Sequence, residues 1–171
     1  MKNLRIKIAC IAAGYLFLSS PAYSQGASLI LNPLSFLFGT FSIKAEGFIE
    51  DRNESIVGGF AYGNLTLNGF YGTVTGFSLG YRSYVGRKVN TLFAGINMNL
   101  LFVTGYIDSY NMSFTLFAPG GSVGIRVGGK LFVEGAIGIS LMIGSADVEG
   151  ISGISFAGYT PTFNFGVGFM F

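Results

Sequence analysis

The chain has 171 residues, of which 50% are hydrophobic, 16% are aromatic and only 11% are charged. This length predicts one domain, and so few charges exclude the composition of a typical soluble surface. The formal net charge is +2, but Lys2, Arg5 and Lys7 lie in the segment that we expect to be removed, so the sequence does not support binding to nucleic acid.

Residues 1–24 carry the pattern of a secretory signal peptide, which leaves residues 25–171 as the mature domain. A positively charged start precedes an apolar stretch, Ile8 to Leu18, and Ala22-Tyr23-Ser24 then puts small residues at the −3 and −1 positions of a cleavage site. The alternative, a transmembrane anchor, needs a longer apolar run. Cys10 would leave with the signal, so no disulfide is expected.

From Phe41 onward, apolar residues alternate with small or polar residues at a period of two, which predicts β-strands. Strands of this length can cross a bilayer when they are tilted. Ala118-Pro119-Gly120-Gly121 predicts a bulge or a break within the fifth strand. The seven predicted strands lie at 41–49, 56–62, 77–85, 94–103, 114–127, 131–143 and 155–171.

The connections between these strands are expected to alternate in length. Short, partly charged turns are predicted at 51–54, 87–90 and 128–130, and longer loops rich in Gly, Asn, Ser and Asp at 64–73, 105–112 and 145–154. Short periplasmic turns and longer external loops are typical of outer-membrane barrels. The turn lengths also predict that Ile49 lies opposite Ile56 and that Val127 lies opposite Leu131.

The segment 28–38 is expected to make one further crossing. If both ends of the mature chain lie in the periplasm, the number of crossings must be even, and seven strands are one too few. The segment is apolar but alternates poorly. It could form an eighth strand bent at Asn32-Pro33, which is the favoured alternative, or a short apolar helix that threads the lumen.

The charged residues of the predicted strands fall on the face that carries small and polar residues. The other face has no charge over its middle stretches, which is the reverse of a soluble barrel such as a lipocalin. The pattern predicts an all-β fold, a transmembrane antiparallel up-and-down β-barrel, whose narrow lumen is filled by side chains. A narrow conductive or binding path is the alternative. The predicted lumen network consists of Lys44, Glu46, Arg82, Arg126 and Glu134.

The last strand alternates almost perfectly and ends on an aromatic residue, with Phe169 and Phe171 on its apolar face. A terminal Phe that closes such a strand resembles the carboxy-terminal signal of bacterial outer-membrane barrels. The resemblance implies that the barrel-assembly machinery recognises this end of the chain. The alternative is the final strand of a soluble β-sandwich.

The mature chain resembles the small outer-membrane barrels of Gram-negative bacteria, of the type of the OmpA membrane domain and OmpX, and within these the poorly characterised barrels of Bacteroidetes-like bacteria. The resemblance implies the fold and a location in the outer membrane, but no established activity. We expect a monomer that contacts the outer-membrane lipids. The resemblance rests on Asn32-Pro33-Leu34, Phe36-Leu37-Phe38-Gly39, Gly80-Tyr81-Arg82-Ser83-Tyr84 and Phe171.

Three classes of function are consistent with this fold. A structural or surface-interaction barrel is the first, and a narrow pore or small-solute binder of porin-like character is the second. A lipid-modifying enzyme is disfavoured, because the chain has no His to act as a general base. No cofactor is expected, and no metal site, because His and mature Cys are both missing. Gly124 to Lys130 fits part of a phosphate-binding loop, but a hairpin turn explains these glycines better.

Overall fold

The computed structural model describes residues 26–49, 52–67, 69–86, 90–107, 110–149 and 151–171. The predicted signal peptide lies outside these described residues. Eight antiparallel strands pair in sequence order, and the last pairs with the first, which confirms the predicted all-β up-and-down barrel of eight strands. The elements are β1 Ala27–Leu31, α1 Leu34–Leu37, β2 Thr40–Phe48, β3 Glu54–Leu67, β4 Phe70–Val85, β5 Thr91–Ile107, β6 Tyr110–Gly128, β7 Leu131–Val148 and β8 Ile151–Met170.

The strands are staggered around the ring. A path that starts at Leu31 and steps from each residue to its partner on the next strand reaches Ala157 on β8 after one circuit. Leu31 itself pairs with Val167, ten residues away from Ala157 on the same strand. With a rise of about 3.3 Å per residue and about 4.8 Å between strands, this stagger tilts the strands by about 40° from the barrel axis.

The segment 28–38 contributes the eighth strand and then leaves the sheet. β1 ends just before Asn32-Pro33, where the bend was predicted, and α1 follows. The ring of Phe36 in α1 lies 5.9 Å from the ring of Phe41, a residue on the outward face of β2, and Leu37 is 78% exposed. The helix therefore lies on the outer side of the barrel, and the alternative of a helix threading the lumen is wrong. No helix among the described residues is long and apolar enough to cross a membrane.

The three longer loops predicted at 64–73, 105–112 and 145–154 are wrong, because most of these residues belong to strands. Only two residues separate β3 from β4, β5 from β6 and β7 from β8. These segments are rich in Gly, Asn, Ser and Thr, a composition typical of loops, but most of their described residues pair with a neighbouring strand. The expected contrast in loop length between the two ends of the barrel is therefore absent.

β6 is continuous and its register with β7 does not shift, so the bulge or break predicted at its centre is wrong. Pro119 pairs in register with Met98 of β5. On the β7 side, Ala118 and Pro119 have no paired residue, and the ladder resumes where Gly120 lies opposite Ser140. Pro lacks a backbone N–H, and the two unpaired positions accommodate this without a shift of register.

Two predicted hairpin registers are displaced by two residues. Ile56 lies opposite Gly47, and Val127 lies opposite Val133, in each case two positions from the predicted partner. Because side chains in a strand alternate with a period of two, a displacement of two leaves every side chain on its predicted face.

The outward faces of the strands form a continuous apolar belt. Ten residue steps separate the ends of the belt on β5 and twelve on β7, which correspond to heights of about 25 to 30 Å along the barrel axis at this tilt. On β5 and β7, no described outward residue between these ends is charged. The belt residues of β5 and β7 are Leu92, Ala94, Ile96, Met98, Leu100, Phe102, Leu131, Val133, Ile137, Ile139, Leu141 and Ile143.

Above the belt, at the end of the barrel where β3 joins β4 and β5 joins β6, the two faces exchange character. Outward positions become polar, with Thr73, Thr104 and Ser113 as examples. Inward positions become apolar: the rings of Phe70 and Phe114 lie 6.4 Å apart. At their upper ends the strands therefore carry polar side chains on the outer face of the barrel and apolar side chains on its inner face.

Most of one edge of β8 has no strand beside it in the described part of the chain. β1 pairs with β8 only from Val167 to Met170, so residues 153–166 face no strand on this side in the described part of the chain. The amide of Phe171 donates to Ala27 of β1, and the amide of Met170 donates to Lys130, so odd-numbered backbone groups of β8 face β1 and the open side. Pro161 is odd-numbered, so its missing N–H falls where the ladder needs none.

Candidate functional site

A cluster of charged and hydrogen-bonded side chains lies in the lumen near the end where Ala27 pairs with Phe171. Because even-numbered residues of β2, β4, β6 and β7 point inward, four strands bring their charges to one level of the barrel. We call this group the lumen cluster. It consists of Glu46, Arg82, Tyr84, Arg126 and Glu134, all of them buried.

Arg126 lies at the centre of the lumen cluster and is 0% exposed. Its Nη2 atom lies 2.5 Å from Oε2 of Glu46 and 2.7 Å from Oε2 of Glu134. Arg82 makes two parallel hydrogen bonds of 3.0 Å to the carboxylate of Glu134, and its Nη1 atom lies 3.7 Å from Oε1 of Glu46. Each carboxylate therefore faces both guanidinium groups, an arrangement that offsets the cost of burying the four charges.

Three hydroxyl groups complete the coordination of Glu46. Ser28 Oγ donates to Oε2 at 2.9 Å, and Ser55 Oγ donates to Oε1 at 2.6 Å. The hydroxyl of Tyr84 also donates to Oε1. With the bond from Arg126, the carboxylate accepts four hydrogen bonds, which satisfies the acceptor capacity of an ionised carboxyl group.

Aromatic rings enclose the two guanidinium groups. Cζ of Arg126 lies 4.2 Å from the ring centroid of Phe132 and 5.2 Å from that of Tyr84, and Cζ of Arg82 lies 4.5 Å from that of Phe93. At these distances the ring faces attract the guanidinium charges by cation–π interaction. Nη1 of Arg126 is buried in this aromatic surrounding without a hydrogen-bond partner among the described residues. Gly168 leaves room for the ring of Phe132, since a Cβ there would lie 2.6 Å from Cε2.

Lys44 points into the lumen but lies apart from the lumen cluster. Its Nζ donates to Oδ1 of Asn164 at 3.2 Å. The sequence spacing suggested a contact with Glu46, two residues along the strand; within the described part of the chain the two form no salt bridge, because Glu46 is directed to the arginines and hydroxyls. The five predicted lumen residues thus share the inner face, and four of them meet.

Sequence reasoning did not identify Ser28, Ser55, Tyr84 or Phe93 as members of the site. Tyr84 follows Arg82 by two positions, so the same alternation that placed Arg82 inward could have found it. Ser28 and Ser55 carry no such signal, because their role depends on the register that brings β1 and β3 beside Glu46.

The chemistry available to the lumen cluster is that of a saturated ion network. Both carboxylates accept hydrogen bonds from arginine, and neither is left to act as a general base towards a substrate. No group of three or more potential metal ligands occurs among the described residues. The arrangement therefore fits a packed interior better than a reactive centre.

The two residues predicted to form the assembly signal lie at the end of β8. The rings of Phe169 and Phe171 stack at 6.4 Å, and both are exposed on the outer side. Phe171 exchanges two backbone hydrogen bonds with Ala27, of 2.9 and 3.0 Å, so the last residue also helps to close the barrel.

Comparison of the chain with protein-family models, with curated proteins and with solved structures finds no match.

Proposed function

We propose that this chain is an outer-membrane β-barrel protein of a Gram-negative bacterium, a monomer with a structural or surface-interaction role and a lumen filled by side chains. The observation that carries the proposal is the uncharged apolar belt, which surrounds the barrel and extends for about 25 to 30 Å along its axis. That height matches the apolar band of known outer-membrane barrels and the hydrocarbon core of a bilayer.

The distribution of charge supports the same proposal. A barrel in water places its apolar side chains inside, whereas here two arginines and two glutamates are buried inside and the exposed belt carries Ile96, Phe163 and similar residues, which are 68% and 77% exposed. A contiguous exposed apolar surface of this extent is rare on a soluble monomer. Lipid is the solvent that such a surface fits.

α1 supports the proposal at the part of the barrel where the strands are shortest. β1 and β2 are short, with 5 and 9 residues. Beside them, α1 and the residue after it present four exposed apolar side chains on the outer side of the barrel. They continue the belt: Leu34, Phe36, Leu37 and Phe38.

The lumen cluster favours a filled lumen over the alternative of a narrow pore. Arg126 is 0% exposed, and aromatic rings and carboxylates surround it, so water has little room at this level of the barrel. A filled lumen leaves the outer surface as the part of the molecule that can interact with partners. Outer-membrane lipids and, during biogenesis, the barrel-assembly machinery are the partners that this proposal requires.

Cell fractionation tests the proposal. The protein, expressed with its own amino-terminal segment in a Gram-negative host, is expected in the outer-membrane fraction. A folded barrel should also migrate differently on a gel before and after heating, because the unheated sheet resists detergent unfolding. Recovery of a folded, water-soluble protein from the periplasm would overturn the proposal.

A further inference from the structure

A shallow depression of about 780 Å³ lies on the outer face of the barrel above the apolar belt. We call this surface the platform. It crosses five strands, and paired residues form two polar rows across it. The first row consists of Thr66, Tyr71, Tyr106 and Asn111, which are partners on β3, β4, β5 and β6.

The second row of the platform runs beside the first. Its members all carry hydroxyl, amide or carboxylate groups, and these point outward because their strand neighbours on either side point inward. They are Asn64, Thr73, Thr104, Ser113 and Asp147.

Two tyrosines give the platform an aromatic surface. The rings of Tyr71 and Tyr106 stack at 5.7 Å with an angle of 24° between their planes. They are 48% and 53% exposed, so a large part of each ring remains available. A tyrosine offers an apolar ring together with a hydroxyl group that can donate and accept hydrogen bonds.

Hydrogen bonds hold the polar groups at the rim of the platform in place. Asn111 donates from both its backbone amide and Nδ2 to Oε2 of Glu149, each at 3.3 Å, and the amide of Gly153 donates to Oδ1 of Asp147 at 2.9 Å. The side chains that would recognise a ligand are thus partly fixed before it binds, which lowers the entropic cost of binding.

The charge of the platform limits the class of ligand. Among the described residues that line it, the acidic Asp147 and Glu149 are present and no Lys or Arg occurs. Phosphates, sulfates and nucleic acids would be repelled. A sugar ring has faces of C–H groups and a rim of hydroxyls, which match an aromatic surface surrounded by hydroxyl, amide and carboxylate groups.

We propose that the platform binds an uncharged oligosaccharide. The proposal deepens the surface-interaction role and rests on the proposed function for its position, since the platform lies immediately above the belt that we assign to the membrane. Binding itself does not depend on the membrane, so it can be measured on purified protein.

The test uses isothermal titration calorimetry with uncharged hexasaccharides of glucose, galactose, mannose and N-acetylglucosamine. The protein is held in lauryldimethylamine oxide micelles, because detergents with sugar head groups would compete. We expect at least one hexasaccharide to bind, and Tyr71→Ala and Tyr106→Ala each to weaken that binding by about tenfold.

Tyr159→Ala is the matched control, because Tyr159 is a 77% exposed tyrosine on the outer face of β8, outside the depression. It should leave the affinity within about twofold, and a heat-induced gel shift verifies that each variant is folded. The proposal is overturned if no hexasaccharide binds, if the control loses affinity equally, or if only sulfated sugars or a cationic peptide bind. If the protein is soluble without detergent, the proposed function fails while the titration in plain buffer still decides the sugar site.

Discussion

Arg126 is the residue on which the lumen cluster depends, because its Nη2 atom contacts one carboxylate from a neighbouring strand and one from a strand across the lumen. Glu46 comes from β2 and Glu134 from the adjacent β7. Removing either partner of a buried pair leaves the other charge without compensation in a medium that solvates it poorly. The stability of the barrel should therefore respond strongly to changes here.

The first prediction is a double-mutant cycle. Arg126→Met and Glu134→Gln should each lower the free energy of unfolding by about 3–5 kcal/mol, and the double variant should lose less than the sum, because the two side chains share one interaction. Urea titration of the folded protein in detergent or lipid measures these values.

The controls for this cycle are Lys130→Met and Glu149→Gln, which remove one positive and one negative charge at exposed positions. Each should alter stability by no more than about 0.5 kcal/mol. Strictly additive losses in the cycle would contradict the contact between Arg126 and Glu134. If the single variants were harmless and raised ion conductance in planar bilayers, the lumen would be wet, and the pore alternative would replace the packed interior.

Part of the lumen cluster could be predicted from the sequence, because it depends on alternation within one hairpin. Arg126 and Glu134 lie on adjacent strands, and even a register error of two residues kept them on the same face and close together. The two bonds between Arg82 and Glu134 could not be predicted, since β4 and β7 are not neighbours in the sheet and meet only across the lumen. That meeting depends on the curvature of the closed barrel.

At the scale of the element, β8 is the strand whose two edges differ most. β7 pairs with it along most of its length, whereas β1 covers only its last residues. The backbone groups of Phe163 and Phe165 face the open side at the height of the belt, where lipid would offer them no hydrogen bond. Closure of the barrel therefore depends on the few pairs at the end of β8.

The second prediction concerns the end of β8. Phe171→Ala keeps the two backbone hydrogen bonds to Ala27 but removes the aromatic ring that we expect the assembly machinery to recognise. The amount of folded protein in the outer membrane should fall several-fold. A fall of this size is similar to the one that a loss of about 1 kcal/mol in stability causes in the abundance of a protein. Quantitative blotting of unheated membrane samples measures it.

Phe163→Ala is the matched control, since Phe163 is an exposed phenylalanine on the outward face of the same strand. It removes the same apolar area from the belt without touching the terminus. Equal yields of the two variants would count against a terminal signal and would leave Phe171 with a role in packing alone.

The strand ends show why sequence reasoning misplaced the loops. At 105–112 and 145–154 the chain is rich in small and polar residues, a composition typical of turns. In the structure, the described strand residues of these segments alternate in the opposite sense, with polar side chains outward and apolar side chains inward, because the strands continue above the belt. The period-two pattern does not show that the environment outside a strand changes from apolar to polar part-way along it. A strand whose two faces exchange polarity at that point therefore looks like a loop in the sequence.

At the scale of the whole molecule, the sequence predicted the number of strands and their faces but not the stagger of the ring. The stagger of ten residues follows from the eight registers together, and an error in any one hairpin would change it. The stagger determines the tilt, and the tilt determines the height of the belt. The match between the belt and a bilayer is therefore a property of the closed barrel rather than of any one segment.

The last prediction tests that match by placing lysine at different heights on one strand. Ile96 and Met98 lie near the middle of the belt on β5, and Thr104 lies above it on the same outward face. If lipid surrounds the belt, Ile96→Lys and Met98→Lys should each lower the free energy of unfolding by about 2–4 kcal/mol in lipid vesicles, whereas Thr104→Lys should lower it by about 0–1 kcal/mol. In a water-soluble barrel, water would solvate all three lysines, and each substitution would change the free energy of unfolding only slightly. A flat profile along β5, measured by urea unfolding in vesicles, would therefore contradict a membrane around the belt, and a cost that rises towards Ile96 and Met98 would support one.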